Sequence, residues 1–109
     1  MSMHGFGIMK TAPVSGERFD DYEPEKYNCV SVNDDFIEPV IHKLTGIKFF
    51  AHTVDFPING LNYCGITLIP PESAMPFISV IEGTDGFSEL CVLLRRAYAE
   101  NKWVIHFGI

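Results

Sequence analysis

Basic side chains are scarce in this chain. Eight Lys and Arg stand against fourteen Asp and Glu, giving a net charge of −6 over 109 residues. Nonspecific nucleic-acid binding runs on lysine and arginine neutralising phosphates, so no nucleic-acid partner is expected. The balance suits a basic protein partner, steered in by complementary charge. Cysteines are few as well. Cys29, Cys64 and Cys91 are an odd number without close spacing, which predicts free thiols and a reducing, cytoplasmic setting. No apolar run approaches the roughly 20 residues that cross a bilayer, so no membrane partner is expected. Residues 1–10 lack a basic n-region and a long apolar core, which predicts no secretory signal.

Chemistry-bearing motifs are missing too. There is no C-x-x-C and no H-x-x-x-H pair, the spacings that hold zinc, so no metal is expected. Gly5 and Gly7 are too few for a phosphate loop and no suitable helix follows them, which leaves no expected cofactor. The R-G-F type of pattern that stacks RNA on an open sheet is absent.

What is present reads as one ordinary globular domain. Its hydrophobic content, 47%, is high enough to argue against disorder. Residues 61–72 are the centre of the reading. Asn62, Cys64, Ile66 and Leu68 alternate with Leu61, Tyr63, Gly65 and Thr67, the period of a strand. Pro70 and Pro71 end its ladder and suit the first turn of a helix. Ala74, Phe77, Ile78 and Ile81 then mark one helical face, with Gly83 as a C-cap.

Residues 27–32 and 47–54 read as two earlier strands. A helix between them is capped by Asn33 or Asp34 and bent or delayed by Pro39. Phe87, Leu90, Cys91, Leu94 and Tyr98 predict a third helix, and residues 102–107 a last strand. Residues 1–26 show little periodicity and read as an acidic, aromatic-containing arm ahead of a single α+β domain over 27–109. The order β-α-β-β-α-α-β predicts a four-stranded, mainly antiparallel sheet with helices on one face. That is the ferredoxin-like plan, with strand order fourth, first, third, second.

On that plan Val30, Val32, Ile47, Phe49, Ala51, Cys64, Ile66, Leu68, Ile105 and Phe107 face the helices. The open face would carry Cys29, Ser31, Phe50, His52, Tyr63, Thr67, Val104 and His106. Cys29, Phe50, His52 and His106 therefore form a candidate ligand face, in which a second copy could pack against the first. His52 and His106 would sit on opposite edges about 14 Å apart, too far to share an ion. A Cys29–His106 nucleophile pair would need a lowered thiol pKa that nothing in the sequence supplies.

Size and acidity favour a different role, a small domain that occludes a basic partner. Its concrete form is an inhibitor or immunity-type protein covering a toxin or nuclease. The expected contacts are Asp20, Asp21, Tyr22 and Glu23 with Asp34, Asp35, Glu38 and Tyr63, the tyrosines serving as anchors. Asp34, Asp35 and Glu38 also suit the positive end of a helix, which accounts for them without catalysis. No catalytic residue is expected.

Overall fold

The computed structural model describes residues 2–109. Met3–Ile8 form strand β1, followed by a 3₁₀ turn over Pro24–Tyr27 and by β2, Val30–Asn33. Asn33 ends that strand and caps helix α1, Asp34–Ile37, its Oδ1 accepting the Asp35 N–H at 2.8 Å. Pro39 has no N–H to give the ladder, so α1 lasts one turn and continues as a 3₁₀ helix over Glu38–Leu44. Strands β3 (Lys48–Phe50), β4 (Pro57–Asn59) and β5 (Ile66–Ile69) follow. Pro71–Ser73 then lead into α2, Ala74–Ile81, and Gly83 at φ +82° turns the chain out of it. Helix α3, Ser88–Ala99, and strand β6, Val104–Phe107, complete the chain.

The result is a single compact α+β domain built on one antiparallel sheet in the order β2-β1-β6-β5-β3-β4. Six strands form, against the four expected, and the ferredoxin-like order fails with them. β6 lies directly against β5, while β1 separates β2 from β6. The segment expected to be an arm therefore supplies a central strand; Met1 alone of it lies outside the described residues. Its alternation is easy to miss because it sets bulky residues against glycine. His4, Phe6 and Ile8 point to the helical side and Gly5 and Gly7 to the other.

Both faces of the sheet are covered. On one, Ala74, Phe77, Ile78 and Ile81 of α2 and Leu90, Leu93, Leu94 and Ala97 of α3 pack on Phe6, Val32, Phe49, Ile69 and Val104. Leu93 and Ala97, rather than Cys91 and Tyr98, complete the buried stripe of α3, and Tyr98 is exposed. On the other face Met9, Ile66, Leu68, Ile105 and Phe107 form a second core under Phe19, Tyr27, Phe50, Val54 and Trp103.

The expected facing of β2 and β3 holds, but that of β5 and β6 is reversed. Ile66, Leu68, Ile105 and Phe107 point away from the helices, while Thr67, Val104 and His106 point toward them. Cys64, expected inside, is exposed in the turn before β5. All eight residues of β5 and β6 are buried, so hydrophobic alternation carried no sign of which face was which.

Residues 9–29 close the second face. Phe19 N–H donates to the His52 carbonyl at 2.8 Å, and Asp55 accepts Ser15 Oγ–H at 2.6 Å and Gly16 N–H at 2.7 Å. The rings of Tyr22 and Tyr27 lie 5.4 and 5.9 Å from that of Phe107. Among the described residues no helix is long and apolar enough to cross a membrane.

Gly7 is where this layering is tightest. A Cβ there would fall 2.5 Å from Tyr27 Cβ and 2.7 Å from the Tyr27 carbonyl oxygen. Gly7→Ala should therefore destabilise the fold by about 1–3 kcal/mol, the usual cost of overpacking. Gly46→Ala, whose Cβ meets nothing within 4 Å, should leave stability unchanged or slightly raised. Equal denaturant midpoints for the two variants would show that the 3₁₀ turn does not press on β1.

Candidate functional site

Two histidines far apart in sequence meet under the helices. Register places His106 of β6 opposite Phe6 of β1 and Thr67 of β5. His4, two residues before Phe6, shares that face. His4 Nδ1 lies 2.9 Å from His106 Nε2, and the rings stack at 5.2 Å. His4 Nε2 lies 2.9 Å from Asp34 Oδ1, and Tyr63 O–H donates to Asp34 Oδ2 at 2.6 Å. At the other end His106 Nδ1 is 3.1 Å from Thr67 Oγ1, which also accepts the Asn62 N–H at 2.9 Å. His4, Thr67 and His106 are fully buried.

One arrangement of protons satisfies all of these partners. Burial first, and the neighbouring His4 second, hold the His106 imidazole well below its ordinary 6.5, so it is neutral. In that arrangement Thr67 Oγ accepts from Asn62, and its own O–H donates to His106 Nδ1. His106 then donates from Nε2 to His4 Nδ1, and His4 donates from Nε2 to Asp34. The chain of donors ends on one carboxylate, which two hydrogen bonds, from Tyr63 and then His4, hold below the usual range. The same carboxylate, with burial second, pushes the Tyr63 phenol up to about 12. No buried side-chain polar atom lacks a partner among the described residues.

In this network the phenol is hard to ionise and the carboxylate is a weak base. Cys29, expected beside His106, lies on the opposite face of the sheet with the second core, and burial pushes its thiol up to about 11. That separates the pair and silences the nucleophile. His52 follows β3 against Phe56, at 6.2 Å between rings, and Phe50 lies under Trp103 at 5.6 Å. The candidate ligand face is thus not an open surface: Phe50 and Cys29 are partly covered, and His106 is on the wrong side. No group of three or more His, Cys, Asp or Glu among the described residues is disposed to hold a metal.

The acidic positions come together better. Asp34 and Tyr63 are bonded, and Glu38 is close enough to raise the Tyr63 phenol by its charge. Tyr22, half exposed at 49%, donates its O–H to the Cys64 carbonyl at 3.3 Å. The turn at 62–65 thus joins the acidic segment around Tyr22 to the one beginning α1. Asp20 and Glu23 are held by Arg18 and Lys26, at 3.2 and 2.7 Å. Asp21, Glu25, Asp35 and Glu38 are exposed and have no Lys or Arg partner among the described residues. His4 was missed by sequence reasoning, and Thr67 was placed on the open face rather than beside His106 under the helices. The signal was there in β1, where bulky residues alternate with glycine, and in the echo of residues 4–8 (HGFGI) by residues 106–109 (HFGI).

No protein-family model, no curated protein and no solved structure matches this chain.

The relay sets the pH dependence of stability. Unfolded His106 takes up a proton below about pH 6.5 and the folded side chain does not, so stability falls as pH drops below that value. Asp34 adds a second loss as pH falls below 3.8 toward its lowered folded value. Tyr63, raised from 10.0 to about 12, removes stability as pH climbs above 10. Denaturant titrations across pH should trace a dome whose acid limb begins near 6.5. A flat profile between pH 7 and 5 would contradict the neutral, buried His106.

His4→Phe keeps a flat ring but leaves the His106 Nε2–H without an acceptor. The cost should be about 1–3 kcal/mol for that stranded group. Adding His106→Phe removes the stranded donor, so the double variant should lose less than the sum of the two single changes. Additive losses would mean the two imidazoles do not depend on each other.

Proposed function

We propose that the chain is a protein-binding domain that docks a basic partner at the acidic rim formed by residues 20–25, 34–38 and the turn at 62–65. The observation that carries this reading is the convergence of Tyr22, Cys64, Tyr63, Asp34 and Glu38 through contacts between segments distant in sequence. Charge supports it: net −6 overall, with Asp21, Glu25, Asp35 and Glu38 free of internal cations among the described residues. Unpaired rim charges steer encounter and select partners by sign. Tyr22 offers the amphipathic ring that anchors such contacts, apolar on Phe107 and polar at its hydroxyl.

The functional form that best suits these features is an inhibitor or immunity-type protein that covers the positive site of a toxin or nuclease. A reading as a ligand-binding or catalytic homodimer would draw on an open apolar sheet face, and the second core packed over that face gives it less support.

Asp21→Asn, Glu25→Gln, Asp35→Asn and Glu38→Gln together should weaken capture of a basic partner from cell lysate by about tenfold or more and flatten its salt dependence. None of the four is buried, so the fold should survive. Capture that resists high salt, or is equal for the neutralised chain, would overturn the rim as the docking site.

A further inference from the structure

The two edges of the sheet are not alike. β4 is three residues long and begins with Pro57, the kind of blunted edge that resists further pairing. β2, at the other end, reads Val30-Ser31-Val32-Asn33 and carries neither proline nor charge.

The backbone phase of β2 follows from two flanking bonds. Asp34 N–H donates to the Ser2 carbonyl at 2.9 Å, and Met9 N–H to the Trp103 carbonyl at 2.9 Å. With the observed registers, and the alternation of antiparallel ladders, Val30 and Val32 bond inward to Phe6 and His4. The N–H and C=O of Ser31 and the N–H of Asn33 then point outward from the sheet. No other main-chain hydrogen bond among the described residues takes them up.

A cavity lies on each side of this edge. On the face away from the helices, one of about 440 Å³ is lined by Glu25, Asn28, Cys29 and Ser31. On the helical side a groove of about 340 Å³ runs between Val30 and Val92, Leu93 and Arg96 of α3. Val92 is 69% exposed there, an apolar side chain with nothing over it.

We propose that β2 accepts an added strand: an extended segment of the basic partner pairs with Ser31 and Asn33. Its alternate side chains then enter the two cavities, apolar ones beside Val30 and Val92, and Lys or Arg ones beside Glu25. Main-chain bonds give such an edge its affinity and the flanking cavities its selectivity. The proposal rests on the rim reading above and says how the partner is held. Charge names the occupant. A second copy paired edge to edge would bring its own Glu25 and Asp35 to a site that already carries both, in a chain of net −6. A basic segment meets them with the opposite sign.

The test uses a displayed library of random 12-residue peptides selected on the whole chain. Enriched peptides should alternate apolar and basic residues. The strongest should slow amide exchange at Ser31 and Asn33 by about tenfold or more, leaving the amides of Val30 and Val32, already paired to β1, little changed. Ser31→Pro removes one outward N–H at an edge that tolerates proline, so it should abolish binding without disturbing the β1 ladder. Val92→Glu, fully outside the core, should weaken the same peptide even where Ser31→Pro proves unstable. No enriched peptide, peptides that ignore both variants, or protection of Ser31 and Asn33 that rises with the chain's own concentration would each overturn strand addition. Peptides that lose affinity on neutralising Asp21, Glu25, Asp35 and Glu38 but not on Ser31→Pro would leave the rim standing and sink the edge.

Discussion

The fold depends on a simple property of the imidazole ring, whose two nitrogens must both find hydrogen-bond partners when buried. His4 and His106 satisfy each other, and the surplus donor and acceptor pass outward to Asp34 and Thr67. That single chain of bonds joins β1, the start of α1, the turn before β5, β5 itself and β6. It reaches almost from one end of the polypeptide to the other, from residue 4 to residue 106. Each member would cost free energy if left alone in the core, so the segments that carry them are coupled. The sheet order follows the same constraint. His4 can reach His106 only if β1 lies beside β6 with the two rings on one face.

This coupling explains why the helices were legible in the sequence and the sheet was not. Ala74, Phe77, Ile78 and Ile81 bury one face of α2 at the expected spacing, and Asn33 caps α1 as its residue type suggests. Those signals are local. The facing of β5 and β6 is a tertiary matter, because Ile66, Leu68, Ile105 and Phe107 find a second core as apolar as the first. Thr67 and His106 look like outward residues by polarity alone. They point inward because they bond to each other, and that cannot be read from either strand by itself. β1 was lost for a related reason. Glycine marks weak strands in general, yet here Gly5 and Gly7 open the space into which Pro24, Tyr27 and Cys29 pack.

The candidate site was half legible. Asp34, Glu38 and Tyr63 were grouped on charge and aromatic character, and they do gather, along with Tyr22 by way of Cys64. The grouping mixed two kinds of acid that composition cannot separate. Asp34 belongs to the interior: both its oxygens are taken, by Tyr63 and by His4, and its side chain is only 21% exposed. Asp35 and Glu38, one and four residues on, face water with no cation to answer them.

That division bears on how a partner could be held. An acid already committed to two internal donors gives a ligand little, and drawing it outward would strand His4 in the core. The proposed recognition surface is therefore left to Asp21, Glu25, Asp35 and Glu38, while Asp34 fixes the start of α1 against β1. Because Val32 pairs with His4, the same buried chain also steadies the inner side of β2. A strand held in place along one edge has already lost much of the freedom that pairing along the other would cost it, so partner binding there would start from an ordered template. In the proposed docking, the interior network and the acidic rim do separate work on one element: the histidines keep β2 extended, and the charges beside it decide what may lie against it.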